Sequence, residues 1–517
     1  MKYFTLLKKE LGTSTGKIIF IAVCIAFLLA VIPFSHQLFF YYDQARDATE
    51  AYSIWHNHDI KILGPATDIA FLHHGVLWYY LLAILYGIFQ QSVLPVAGVF
   101  LLAFFITLPI VWYLAKELFN DKKIATIAVI LYVFSPLFQL STRWLSNPIL
   151  SLIVMPALLL LLWQYLQKRR NDKVTFMLGI LYGVVIQSQL AFLLLLLFLP
   201  VYLLIFKIKP SLRQVLTFAI GLGISLSSII IGEIKYGFKG TTSLLQFLTK
   251  PHNNHNSINA TLEHILEKIN SLISVSSIAL PSFLPLLILI LLTIVVLRSK
   301  TNIDRKPIIF IGVWLLNLII FTFFDTGISR SLFVFYPSLL LTIILTAFLL
   351  IKVFKHTYIL IPVVLVLIFF QLKQNTNWIQ NSENPLTVQR GITLEIEQAI
   401  LTYTYKESDF KAFTINTVTE PLFINTTWAY LYRFYGERKY GYLPLWNGKD
   451  QTGNLGELPR ASTETKYHYV IIEPTTGIPD YFVKAAISEE NITSKIIEEK
   501  HFGNFVVQKR QSLDATF

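Results

Sequence analysis

Long apolar runs alternate with short charged segments along the first 371 positions, and the pattern changes after Gln371. About 20 apolar residues cross the hydrocarbon core of a bilayer. By that measure the chain predicts eleven membrane spans, at roughly 18–35, 94–115, 124–140, 148–167, 174–189, 190–206, 214–232, 276–297, 307–324, 331–351 and 358–371. The stretch 174–206 is too long for one helix, and the polar triplet Gln187-Ser188-Gln189 is where a tight turn divides it. A further run, His74 to Gln90, is short and rich in aromatics. Counting it as a span would reverse the sidedness of the loops that follow. It is therefore predicted as a helix that lies in the outer interface or partly re-enters, where Trp and Tyr rings are favoured.

Beyond Gln371 the composition is that of a soluble protein. Pro385 to Glu407 has apolar residues at helical spacing, and Thr426 to Gly441 reads as a second, aromatic helix. Ala412–Val418, Tyr467–Glu473 and Asn504–Lys509 read as strands. Two domains are expected: a polytopic helical membrane domain over 1–371 and a small α/β domain over 372–517.

Charge fixes the expected sidedness. Only 14% of the residues are charged and 54% are apolar, whereas a soluble domain carries about 25% charged residues. The net charge of +12 looks at first like a nucleic-acid binder. Residues 372–517, however, hold 15 Lys/Arg against 17 Asp/Glu, so the whole basic excess lies in the membrane half. There it sits in short loop clusters such as Lys168/Arg169/Arg170/Lys173 and Arg298/Lys300/Arg305/Lys306. Basic clusters in short loops mark the cytoplasmic side. With eleven spans, a cytoplasmic N-terminus places every cluster inside and the C-terminal domain outside. No nucleic-acid partner is expected, and one Cys excludes a disulfide framework.

No Asp, Glu, Lys or Arg falls within the predicted spans. Ionisable groups gather instead at the outer ends: Asp43, Arg46, Asp47 and Glu50; Arg143; Glu233, Lys235 and Lys239; Asp325 and Arg330. The first outer loop is the longest before residue 232. Asp43, Asp47 and Glu50 lie at i, i+4 and i+7, one face of a short helix, with Arg46 three residues from Asp43. A positioned carboxylate at the membrane boundary suits a general base. The competing reading is that Asp43 only caps the helix. For the outer cations the competing reading is contact with lipid headgroups. His252, His255 and His264, with Glu263 and Glu267, match no zinc spacing and read as a solvated loop.

These residues, in this order, resemble the polytopic GT-C glycosyltransferases, in particular the bacterial family 39-like group, which is similar to protein O-mannosyltransferases and lipid A aminoarabinose transferases. The resemblance rests on Tyr42-Asp43-Gln44-Ala45-Arg46-Asp47, Gly64-Pro65, His73-His74-Gly75-Val76-Leu77-Trp78, Tyr132-Val133-Phe134-Ser135-Pro136, Arg143-Trp144-Leu145-Ser146-Asn147-Pro148, Gly232-Glu233-Ile234-Lys235-Tyr236-Gly237-Phe238 and Tyr469-Val470-Ile471-Ile472-Glu473-Pro474. It covers 1–371 well and the tail weakly. It implies a GT-C-like fold, a polyprenyl-phosphate-linked sugar donor, inverting transfer and a site facing outside. Asp43 matches the family's catalytic acid. Many relatives have Asp-Glu where this chain has Asp43-Gln44, so Asp47 is the candidate second acid.

The expected enzyme transfers a hexose or pentose to a lipid, glycan or protein acceptor at the outer face of the plasma membrane. Asp43, Asp47 and Glu233 are its candidate catalytic residues. Arg46, His73, His74, Arg143, Asn147, Lys235, Lys239 and Arg330 are its candidate substrate-binding residues. No cofactor is required by the pattern, and a divalent metal is left open with no ligands assigned. The alternatives are a transporter or flippase of lipid-linked glycans, or an outer-face glycan polymerase or ligase.

Overall fold

The computed structural model describes residues 13–167, 169–249, 258–299, 304–323, 331–387, 389–449, 457–461 and 465–513. Asp325, Arg330, His252 and His255 lie outside the described residues. Helices occupy most of the first 380 positions. Four of them are long and apolar enough to cross a bilayer: Val93–Phe119, Ile149–Leu166, Leu332–Val353 and Thr357–Gln380. A fifth is formed if Leu212–Ser225 and Ser227–Lys235, bent by 68°, are one span. The chain is a membrane protein.

Several of the eleven predicted runs are interrupted instead of continuous. The run 124–140 becomes Lys122–Phe134 and Pro136–Ser141, broken at Ser135 where proline disfavours helical geometry in the preceding residue. The run 190–206 begins as a 3₁₀ segment, Leu190–Leu197, before the α-helix Phe198–Ile205. The run 307–324 divides between Arg305–Leu315 and Asn317–Phe323. The predicted break at Gln187-Ser188-Gln189 is present: a helix ends at Ser188 and Gln189 is extended. The aromatic run is the helix Leu77–Ile88. At about 1.5 Å per residue it falls well short of a bilayer core.

Packing separates central from peripheral helices. Lys122–Phe134, Ile149–Leu166 and Tyr336–Val353 are buried along most of their length. Leu212–Ser225, Leu284–Arg298 and Thr357–Gln380 expose apolar side chains such as Ile220, Leu291, Leu365 and Phe369. Exposed apolar rows on a helix already packed on its other side are the surface that lipid covers.

The tail carries a five-stranded mixed sheet of order β2-β1-β3-β5-β4, with β1 Thr414–Val418, β2 Leu445–Trp446, β3 His468–Ile472, β4 Ser494–Phe502 and β5 Phe505–Ser512. β1 runs parallel to β2 and β3, and β5 antiparallel to β3 and β4. The predicted helix over Pro385–Glu407 begins only at Leu394, where Thr393 caps it by accepting from the Ile396 N–H. Gly391 just before it has φ +76°, a left-handed backbone that ends any helical continuation. The aromatic helix predicted over Thr426–Gly441 is present but contains a π turn at Tyr432–Gly436.

The tail clasps the segment 38–93 at both ends. On one side Leu394 N–H donates to Leu38 O at 2.9 Å. On the other, Tyr430 Oη donates to Gln91 O at 2.7 Å and Val93 N–H donates to Tyr435 Oη at 3.0 Å. Rings meet between these points, Phe40 with Tyr430 and Tyr52 with Phe434.

Two acids lie inside this clasp. Glu473 receives hydrogen bonds from Trp428 Nε1 at 2.9 Å and from the Glu420 N–H at 3.2 Å. Burial still pushes its pKa up to about 7. Glu397 is fully buried, neither carboxyl oxygen has a hydrogen-bond partner among the described residues, and burial, with Glu473 nearby, raises its pKa well above the usual range. A raised folded pKa means that the native state holds protons the unfolded state has released. Stability therefore falls as pH rises from about 4.5 to about 7, by on the order of 3 kcal/mol for Glu473. The thermal midpoint of the detergent-solubilised protein should drop between pH 5 and pH 7.5, and Glu473→Gln should flatten that slope. An unchanged slope in the variant would remove Glu473 as its source.

Candidate active site

The helix Tyr42–His56 positions the first group of candidates. Its first turn is closed by Gln44, whose side-chain oxygen accepts from the Tyr41 N–H at 3.0 Å. Gln44 is buried, so the residue standing where many relatives have an acid serves the helix terminus. One turn further along lies Asp47, whose side chain is 1% exposed, while that of Asp43 is 56% exposed.

Arg46 joins the two acids. Its Nη1 lies 2.7 Å from Asp43 Oδ1, and its Nη2 and Nε lie 2.7 and 3.0 Å from Asp47 Oδ1. The other oxygen of Asp47 accepts from Trp78 Nε1 at 2.7 Å. Trp78 sits on the helix Leu77–Ile88, so this bond ties the two helices together. Burial raises the pKa of Asp47 to about 6, against the opposing pull of Arg46. Glu50, predicted on the same face, is instead ion-paired with Lys61 at 2.8 Å.

Asp43 and Arg46 open onto a cavity of about 400 Å³, which His74, Asn147, Gln189 and Thr387 also line. A second cavity of about 260 Å³ is lined by His73, His74, Glu233, Lys239 and Phe71, among others. His74 borders both. Its Nδ1 accepts from the Leu190 N–H at 3.1 Å, which leaves the ring proton on Nε2. Burial lowers its pKa to about 3. His74 is thus a neutral hydrogen-bond donor and not a cation.

The wall between the cavities is built by close backbone approach. The Gly64 N–H donates to His74 O at 3.3 Å and the His74 N–H to Pro65 O at 2.8 Å. A side chain at Gly64 would collide with the carbonyls of His74 and Gly75. The Gly75 N–H donates to the Gln187 backbone carbonyl at 3.0 Å, and the Leu77 N–H to Gln187 Oε1 at 3.1 Å. Asn147 donates through Nδ2 to Ser188 O at 2.5 Å. The polar triplet that divides the long apolar stretch is therefore also the anchor of the histidine segment.

Arg143 and Lys235 lie apart from these two cavities, while Glu233 lines the smaller one. Arg143 is buried over the Phe39 ring and lines a separate small cavity with Gln139 and Asn375, and its two Nη atoms have no hydrogen-bond partner among the described residues. Lys235 is exposed beside Tyr236. Glu233 accepts from the Thr241 N–H at 2.9 Å and from Thr241 Oγ1 at 2.8 Å, which pins the start of the helix Lys239–Thr249. Among the described residues no three His, Cys, Asp or Glu side chains are grouped as metal ligands would be. Sequence reasoning missed Trp78 as a partner of Asp47, Gln187 as an anchor, and Ser331, Pro385 and Thr387 as cavity walls.

Two measurements follow from this geometry. Trp78→Phe leaves a buried carboxylate oxygen unpaired and should cost about 1–3 kcal/mol of stability, read by denaturation in detergent. Below about pH 6 Asp47 gains a proton and Arg46 loses one of its two anionic partners. The activity of the wild type should therefore decline as pH falls through 6. Asp47→Asn should be impaired by about 10²-fold at neutral pH, because the fork that orients Arg46 is lost, and should lack that decline.

No curated protein matches the chain by sequence. Residues 73–231 match the family described as Dolichyl-phosphate-mannose-protein mannosyltransferase. Among solved structures, ArnT from Cupriavidus metallidurans in the apo state is similar with a TM-score of 0.61 at 11% identity, covering 96% of this chain and 98% of that one. The same protein bound to undecaprenyl phosphate gives a TM-score of 0.61 at 10% identity with the same coverage. The chain thus has the fold of ArnT from Cupriavidus metallidurans over nearly its whole length, and its segment 73–231 is similar to the dolichyl-phosphate-mannose-protein mannosyltransferase family.

Proposed function

We propose that this protein is an integral membrane glycosyltransferase that moves a hexose or pentose from a polyprenyl phosphate to an acceptor at the outer face of the membrane. The observation that carries the reading is the fork of Arg46 on Asp43 and Asp47, with Asp43 open to a cavity and Asp47 locked beneath it. The lipid-phosphate donor is suggested by the likeness to ArnT, one structure of which holds undecaprenyl phosphate. The N-terminus would be cytoplasmic and the C-terminal domain extracytoplasmic.

In this reading the donor phosphate lies in the smaller cavity, against Lys239 and His73, and the sugar reaches past His74 into the larger one. The acceptor hydroxyl attacks the anomeric carbon from the face opposite the phosphate. Its proton passes to Asp43, the carbon–oxygen bond to phosphate breaks, and the lipid phosphate leaves with its negative charge facing Lys239. His74 donates from Nε2 at the boundary between the cavities. Arg46 and Asp47 position Asp43, and Asn147 positions the wall. A single displacement of this kind inverts the anomeric centre. A divalent cation beside the phosphate is the alternative to Lys239 as the neutralising charge.

The test is sugar release from a panel of synthetic polyprenyl-phosphate hexoses and pentoses, with an extract of the protein's native membranes as acceptor. Wild type should turn over at least one donor. Asp43→Asn should lose about 10²–10⁴ of the rate, the range for removal of a general base, and retain donor binding. Lys239→Ala should weaken donor binding without abolishing turnover at saturation. Equal turnover by wild type and Asp43→Asn would remove Asp43 as the base, and loss of turnover with chelator would assign the neutralising role to a metal.

A further inference from the structure

One cavity among the described residues belongs to neither site. It has a volume of about 930 Å³ and lies between the helices Ile258–Ser276 and Thr357–Gln380 and the segment 279–283. That volume is near the upper end of the roughly 300–1,000 Å³ found for small-molecule sites. Both helices turn polar rows toward it. Glu267, Asn270, Ser271 and Ser274 follow i, i+3, i+4 and i+7 on one helix, and Phe370, Lys373, Gln374, Asn377 and Trp378 follow i, i+3, i+4, i+7 and i+8 on the other. On Thr357–Gln380 this row lies opposite exposed apolar residues such as Leu365 and Phe369, and a polar row facing inward from a lipid-facing helix marks a water-filled or polar-ligand space.

The chemistry of the lining selects among ligands. Asn270 is occupied: it donates to Ser282 O at 2.9 Å and accepts from the Leu286 N–H at 3.1 Å. Ser271, Ser274, Gln374 and Asn377 also line the space, and hydroxyls and carboxamides each both donate and accept. That dual character matches the hydroxyls of a sugar. Phe370 and Trp378 supply aromatic surface for the C–H faces of sugar rings. One Glu and one Lys line the cavity, so it carries no net charge to select an anion or a cation. Among the described residues no strand edge lines this space, so it offers no backbone ladder to an extended peptide.

The cavity also abuts the Asp43 site. Leu332 lines it, while the adjacent Ser331 and Phe333 line the Asp43 cavity, and Pro385 borders both. We infer that this cavity binds the acceptor, and that the acceptor is a neutral glycan whose terminal hydroxyl is presented to Asp43 across the Ser331–Phe333 and Pro385 wall. The inference rests on the transferase reading above and adds to it the acceptor class.

A diazirine-bearing amino acid placed at position 374 or, separately, at position 274 of the full chain tests it, with position 365 on the lipid-facing side as control. The protein is photolysed in its native membranes and then purified, and donor turnover is measured on the same preparations. The expected result is a mass shift at 374 and 274 that periodate reduces by cleaving vicinal diols and that is absent at 365. Adducts of acyl lipid alone, adducts of peptide, or no adduct at either position while donor turnover persists would each overturn the glycan assignment and leave the transferase reading standing. Absence of donor turnover in the unmodified protein would instead overturn the transferase reading.

Discussion

One guanidinium organises the cavity into which Asp43 opens. Arg46 holds an exposed carboxylate, Asp43, and a buried one, Asp47, at 2.7 Å each. The burial of Asp47 would be costly without a cation and a donor, and it has both, from Arg46 and from Trp78. The arrangement is directional. Because Asp47 is fixed from below by the helix Leu77–Ile88, Arg46 is fixed in turn, and Asp43 is held at the rim of the cavity. A lysine could supply the charge but not the fork.

The surrounding structure keeps that rim in place. Gly64 permits the backbone contact that sets the His73–Gly75 segment, and Gln187 and Ser188 hold the same segment and Asn147 from a distant helix end. The tail closes the assembly by bonding to Leu38 before the loop and to Gln91 and Val93 after it. It also contributes Pro385 and Thr387 to the Asp43 cavity. The tail is thus part of the site's wall. The buried acids Glu397 and Glu473 at this junction make its stability depend on pH, in the opposite sense to a carboxylate held by a cation.

Much of this was legible in the sequence, and the rest was hidden for physical reasons. Apolar runs announce a membrane protein, and the spacing of Asp43, Arg46 and Asp47 announces a helix face with an ion pair, because both signals are local. The division at Gln187-Ser188-Gln189 was also visible, since a polar triplet in an apolar stretch has few other uses. Its second role was not, because the bond from Leu77 to Gln187 joins positions far apart in the chain. For the same reason the Trp78 bond to Asp47 carries no sequence signature. Hydropathy counts apolar residues but does not see Pro136 or the 3₁₀ turn after Gln189 shortening a helix, so predicted spans and long helices differ in number. Grouping the outer-loop charges by membrane face overreached for Arg143, whose side chain turns into the protein beside Phe39.

In the proposed reaction the attack on the anomeric carbon is a single displacement, with Asp43 taking the proton. The anomeric configuration of the product tests this most directly. Proton NMR of the product formed by the wild type from a donor of defined anomer should show the opposite configuration in the first-formed glycoside. Retention of the donor's configuration would require a second displacement through a group on the protein, and would contradict the role assigned to Asp43 and to the Arg46 fork that holds it.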